Sequence, residues 1–193
     1  MCSSDLTGAF AGTLTLESPG VFGNIDMQSG TVTLSGAMAM SGDVVLNGGT
    51  LAMGTNAVTI SGSWLTDGGV FTASNTVTFD GTASKTLEGG SAFSGITIGA
   101  AGTWTLSGGL ALSGDLRVNA GTLAMGTNGV TLSGSLIDGG GAFTTSGLVT
   151  FDSTESKTIT SDGNSFSGVT FGTAGTWTDR KSTRLNSSHQ IIS

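Results

Sequence analysis

Along most of the chain, apolar residues alternate with threonine, serine or alanine in bursts of three to five residues. Examples are Thr31-Val32-Thr33-Leu34, Ala57-Val58-Thr59-Ile60, Asn75-Thr76-Val77-Thr78-Phe79 and Gly95-Ile96-Thr97-Ile98. A period of two places one set of side chains in a core and the other in solvent, the pattern of a half-buried strand. Thr, Val, Ile and Phe suit a pleated surface. Between the bursts stand Ser-Gly, Asn-Gly, Asp-Gly and Gly-Gly pairs, which supply the conformations of tight corners. No window shows helical spacing. The pattern predicts an all-β chain of short strands.

The bursts recur on two scales. Gly-led bursts start at Gly30, Gly49, Gly69 and Gly102, in steps of 19, 20 and 33 residues. Coils of about 20 residues predict a parallel β-helix, with each coil stacked on the last at about 4.8 Å. The 33-residue step reads as one longer coil or two shorter ones. On the longer scale, Gly49–Ser63 (GTLAMGTNAVTISGS) returns 72 residues later as Gly121–Ser135 (GTLAMGTNGVTLSGS). Ser29–Leu46 matches Ala101–Val118 and Val77–Thr86 matches Val149–Thr158 at the same distance. A fixed long period marks a repeat architecture, and each 72-residue unit is expected to hold three or four coils. The alternatives are a β-sandwich array or a propeller built of antiparallel hairpins. Propeller blades carry aromatic signatures that are missing here.

The two copies also record substitutions. Val32 is replaced by Trp104, Trp64 by Leu136 and, with a one-residue slip, Ile98 by Phe171. Apolar exchanges for apolar at varying size, so these positions are expected to face the core.

The ends depart from the repeat. Cys2–Leu6 and Asp179–His189 back-translate to the two strands of one widely used sequencing adapter, as expected of a fragment from metagenomic sequencing. Residues 1–6 and 179–193 are therefore expected to be adapter-derived, with the second stretch disordered, and 7–178 to be a fragment of a longer repeat β-solenoid. A truncated solenoid exposes strand edges at its ends, which predicts self-association through them.

Composition narrows the chemistry. The 193 residues hold 34 Gly, one Pro, one Cys (Cys2), one His (His189) and a net charge of −7. The regular apolar bursts separate the chain from a disordered linker, and the absence of a Gly-x-y period separates it from collagen. Within 7–178 the basic residues are Lys85, Arg117 and Lys157, too few to neutralise phosphates, so nucleic acid is excluded as a partner. Without His or Cys in that range, a Ser-His-Asp triad, thiolate catalysis and a zinc cluster are excluded. Gly139-Gly140-Gly141-Ala142-Phe143 lacks the Asp of the calcium-binding nonapeptide. No cofactor or metal is expected.

The strongest constellation for chemistry is Asp80 with Lys85, repeated as Asp152 with Lys157. A lyase or hydrolase groove needs carboxylates or a base gathered in a cleft. The plainer reading is a turn with a surface ion pair worth under about 1 kcal/mol. A site copied in each repeat also suits a multivalent binding patch better than an active site. Trp104 and Trp177 read as core rather than as sugar-stacking platforms. Five Thr-x-Thr pairs, at Thr13, Thr31, Thr76, Thr103 and Thr176, are too unevenly spaced to predict one ladder.

The phrases VTFDGTASKTLEGG followed by FSGITI, and GTWTLSGGLALSGDLRVNAGTLAMG, resemble repeats of bacterial autotransporter passengers and related adhesin arrays. The resemblance spans nearly all of 7–178. It implies an exported, extracellular or cell-surface protein with a non-catalytic stalk or adhesive role and glycans or other surfaces as partners. The membrane would be reached only through an anchor or barrel outside this stretch. Two other readings stay open, a glycan-binding solenoid module and a fragment of a β-helix polysaccharide-degrading enzyme.

Overall fold

The computed structural model describes residues 4–17 and 20–180. It is all-β, and every registered strand pairing is parallel. Strand partners lie about one coil apart in sequence. Val44 pairs with Trp64, Thr50 with Val70 and Val58 with Val77. The chain therefore winds as a β-solenoid of about nine turns. The hairpins that a sandwich or propeller requires are not among these pairings.

Each turn has three faces. The first is built by Met38–Met40, Val58–Ile60, Thr76–Phe79, Gly95–Ile98, Leu116–Val118, Leu136–Asp138, Lys157–Thr160 and Trp177–Asp179. The second is built by Val44–Leu46, Trp64–Thr66, Lys85–Glu88, Thr103–Ser107, Thr122–Gly126 and Ala142–Thr145. The third is built by Thr50–Gly54, Val70–Ala73, Leu110–Leu112, Val130–Leu132, Leu148–Phe151 and Gly168–Phe171, with isolated bridges at Ala92 and Phe93 in place of a strand. The long strands Ser4–Leu16 and Gly20–Leu34 bend through consecutive faces of the first two turns.

The two-residue period explains the core. Met38 and Met40, Val44 and Leu46, Val58 and Ile60, Leu116 and Val118 point inward and are buried, while the residue between each pair is not. Each inward residue rests on its registered partners in the coils above and below. Full burial of such a side chain contributes about 1.5–3 kcal/mol. The substitution record is borne out for Val32, Trp104, Trp64, Leu136 and Ile98, all with no exposed surface. Phe171 is 40% exposed because it lies in the last full coil described.

The corners are local devices that work wherever they fall. Asn56 Nδ2 donates to the carbonyls of Leu34 (2.7 Å) and Met53 (3.0 Å), beside Gly54 at φ +56°. Seventy-two residues on, Asn128 donates to Leu106 (2.7 Å) and Met125 (3.1 Å), beside Gly126 at φ +59°. A side-chain amide thus satisfies carbonyls that the bend leaves without strand partners.

The long repeat is not a whole number of coils. From Thr50–Gly54 to its copy Thr122–Gly126 the chain passes eleven strand positions, counting the bridged 92–93. With three positions per coil, one repeat is three and two-thirds turns, within the expected three or four. The same sequence therefore lies on the third face in the first copy and on the second face in the next. The 33-residue step resolves the same way. Val70 is on the third face and Thr103 on the second, five strand positions later. It is one and two-thirds coils, neither one nor two.

Candidate functional site: the wide corners

Most corners hold three residues or fewer. Besides the long stretches 161–167 and 172–176 near the C-terminal end, residues 80–84 and 152–156 hold five each. They produce the two long steps in the solenoid, Trp64 to Leu87 and Leu136 to Ile159, each 23 residues. The Asp–Lys constellation of the sequence brackets these two wide corners.

The first copy is closed. Ser61 Oγ donates to Asp80 Oδ1 at 2.7 Å, and the Asp80 amide bonds the Ile60 carbonyl of the preceding coil. Lys85 does not pair with Asp80. Its Nζ lies 3.9 Å from Asp43 Oδ1, with both side chains partly exposed. Asp43 itself belongs to a corner ladder. Asp5 Oδ1 accepts from the Asn24 amide, Asn24 Oδ1 from the Asp43 amide, and Asp43 Oδ1 from the Ser63 amide, at 2.8, 2.9 and 2.7 Å. Side-chain oxygens at successive coils thus take amide hydrogens that the corner cannot place in the sheet.

The second copy is open. Lys157 Nζ meets Glu155 Oε2 at 2.7 Å, where the first copy has Ala83. The lysine hydrogen bond, and then its charge, hold the exposed Glu155 carboxyl below the usual glutamate range. Asp152 Oδ1 is buried without a hydrogen-bond partner, under Gly172, where an added Cβ would lie 3.1 Å from it. A polar hollow of about 420 Å³ opens here, lined by Ser113, Ser133, Asp152, Glu155, Lys157 and Thr173 among others. It adjoins, through Ser113 and Ser133, a shallow trough of about 750 Å³ on the third face over Gly90, Gly109 and Gly129.

The four sequence-selected residues therefore form no single cluster. Asp80 and Lys85 flank the corner between the first and second faces, and Asp152 and Lys157 the corner between the third and first. Each copy makes a corner with an ion pair, but to a different acid in each case. Sequence reasoning missed Asp43, Glu155 and Ser61 as partners. Asp43 had a signal, its recurrence as Asp115, which bonds the Ser135 amide (2.8 Å) and Arg117 (2.8 Å). It also missed Asp138, an inward-facing carboxylate only 6% exposed where the first copy has Thr66. The Gly140 amide donates to its Oδ1 at 2.9 Å and Asn164 to its Oδ2, which ties the 161–166 segment to the core. Among the described residues no group of three or more His, Cys, Asp or Glu is placed to hold a metal.

The tryptophans are structural. Trp104 is buried between Phe79 and the coils around it, and Trp64 packs on Phe71 and Phe93 with its Nε1 donating to Ser91 Oγ at 3.0 Å. Trp177 packs on Phe151 and Phe171 near the C-terminal end of the described chain. The Thr-x-Thr pairs are shared out among the faces. Those at Thr13 and Thr31 stack in register on the third, the pair at Thr76 lies on the first and that at Thr103 on the second.

Residues 28–53 and 101–125 match the family model of the passenger-associated-transport-repeat. The array is similar to an autotransporter passenger. The two matched stretches are the corresponding parts of the two copies, offset by about 72 residues, so the match follows the repeat of the solenoid. Neither a curated protein nor a solved structure matches the chain.

At the ends, Asp5 and Leu6 join the first turn and Asp179 ends a strand registered with Ile159. Residues 1–3 and 181–193, on which the rest of the adapter reading falls, lie outside the described residues.

Proposed function

We propose that this segment is a non-catalytic structural and adhesive shaft of an exported bacterial surface protein. The supporting observation is the phase of the repeat. Because each unit spans three and two-thirds turns, the wide corners of successive units point in different directions, and no face gathers the charged groups that acid–base chemistry needs. What every unit does share is a continuous core and self-sufficient corners, the properties of a spacer. The passenger-repeat match agrees with placement outside the cell. The reading is tested by incubating the purified chain with soluble and insoluble polysaccharides. No new reducing ends and no unsaturated products are expected, and the appearance of either overturns it.

The polar hollow at Asp152, Glu155 and Lys157 favours a second reading, a glycan-binding module. Since the two copies face different ways and this hollow lies at the second, binding would be carried by that copy. On a glycan array, Lys157→Ala should then abolish binding while Lys85→Ala leaves it intact. Loss with either variant would point to a two-copy patch instead.

A further inference from the structure

We propose that two copies of this chain pair laterally, face to face, through the third face. The first ground is charge. The strands of this face, residues 13–16, 31–34, 50–54, 70–73, 92–93, 110–112, 130–132, 148–151 and 168–171, contain no charged residue. The other two faces carry Asp26, Lys85 and Glu88, or Arg117, Lys157 and Asp179. In a chain of net charge −7, approach of a second copy is opposed by like charge wherever acids are displayed. The third face is the side on which that repulsion is least.

The second ground is apolar exposure. Val70 and Leu148, on outward positions of this face, are 52% and 49% exposed. Among the described residues, the other large exposed hydrophobics are Val21 on the first face and Val169 and Phe171, inward-row residues bared at the end of the stack. The remaining outward positions are small or carry hydroxyls, such as Thr33, Ala52, Thr72, Ala111, Thr131 and Thr150. Such a surface is low in relief apart from the shallow trough over Gly90, Gly109 and Gly129, and it repeats at the coil spacing. A second copy presents the same spacing, so every row meets a row.

The area sets the strength. About nine stacked strands at about 4.8 Å, each roughly 13 Å long, give a face of about 500 Å² per copy. The pair buries about 1,000 Å², at the low end of specific interfaces. An interface of that size fits a reversible rather than an obligate dimer. It is closed and two-fold, unlike association through open ends, which adds copies without limit.

Sedimentation of the full chain across a concentration series is the test. Monomer–dimer equilibrium is expected, with Ala111→Glu and Thr72→Glu each weakening it at least tenfold. Thr105→Glu, an equally exposed change on the second face, should leave it unchanged. Both Ala111 and Thr72 are exposed, and circular dichroism checks that the variants keep their strands. Ala111 lies near the middle of the face, so mixing Ala111→Glu with Ala111→Lys should restore the dimer through opposite charges. A monomer at all concentrations overturns the proposal. So does open-ended growth insensitive to Ala111→Glu, or a monomer that sediments with insoluble cellulose or chitin, which would make a flat polysaccharide the occupant.

Discussion

The two repeats carry nearly the same aromatic residues in different surroundings. In the earlier set Trp64, Phe71, Phe93, Phe79 and Trp104 form one chain of ring contacts with centroids 4.6–6.0 Å apart, and all are buried. In the later set Phe143, Phe166, Phe151 and Trp177 repeat the contacts of Phe71, Phe93, Phe79 and Trp104 at 4.8–6.0 Å, with Leu136 in place of Trp64 and Phe171 in place of Ile98. Here Phe171 is 40% exposed, and Phe166 and Trp177 are only partly buried. The four shared rings keep their types, and their contacts keep similar centroid distances. The difference is the coil above. In a solenoid, burial belongs to the stacking neighbour rather than to the residue, which makes stability a sum over adjacent coils.

The largest test of this contrast is truncation at equivalent positions. Trp104→Ala should cost about 3–5 kcal/mol, read from the denaturant midpoint. Trp177→Ala should cost less than half as much, with extra hydrogen exchange confined to the last coil. Equal losses would show that the cluster rather than its cover sets the burial. Next in size are the corner glycines. A Cβ at Gly62 or Gly134 runs into the backbone of Gly42 or Gly114 in the coil below, whereas one at Gly109 meets nothing nearer than 3.7 Å. Gly62→Ala and Gly134→Ala should each cost about 1–3 kcal/mol through overpacking. Gly109→Ala should stay within about 0.5 kcal/mol.

Asn56→Ala and Asn128→Ala sharpen the comparison from the other side. Each removes two hydrogen bonds to corner carbonyls and should cost about 1–2 kcal/mol. The losses should be alike in the two copies, because these bonds are made within a corner and its immediate neighbour. The smallest expected effect is that of Glu155, which the first copy lacks. Its carboxyl is held low by Lys157 in the folded chain. Its contribution is therefore present above the ordinary glutamate value of about 4.3 and is lost as the pH falls through the lowered folded value. Comparing wild type with Glu155→Gln by thermal melting between neutral and acid pH should show a slightly shallower acid decline in the variant.

Coil length and the inward positions were legible because they depend only on neighbours in sequence. Val58 and Ile60 alternate with Thr59, and the Gly-led bursts at Gly30, Gly49 and Gly69 do start successive strands of one face. The phase was not legible. It depends on the five-residue corner at 80–84 and on the strand position at 92–93, where Gly89 to Phe93 shows no alternation. The ion pairs were hidden for the same reason. Lys85 reaches Asp43, forty-two residues away, only because two coils bring their corners over one another. The nearer acid, Asp80, is taken by Ser61. Within the second copy, the change from Ala83 to Glu155 was readable, but its pairing required the backbone of the wide corner.

Eleven strand positions do not divide by three, and this bears on how such a gene can change. Unequal crossing-over between the near-identical Gly49–Ser63 and Gly121–Ser135 stretches deletes or adds one unit while leaving each coil able to stack on the next. Everything downstream is then turned by one face. A single recombination event keeps the shaft intact yet deals a different set of side chains to every side of it, and three such events restore the original presentation.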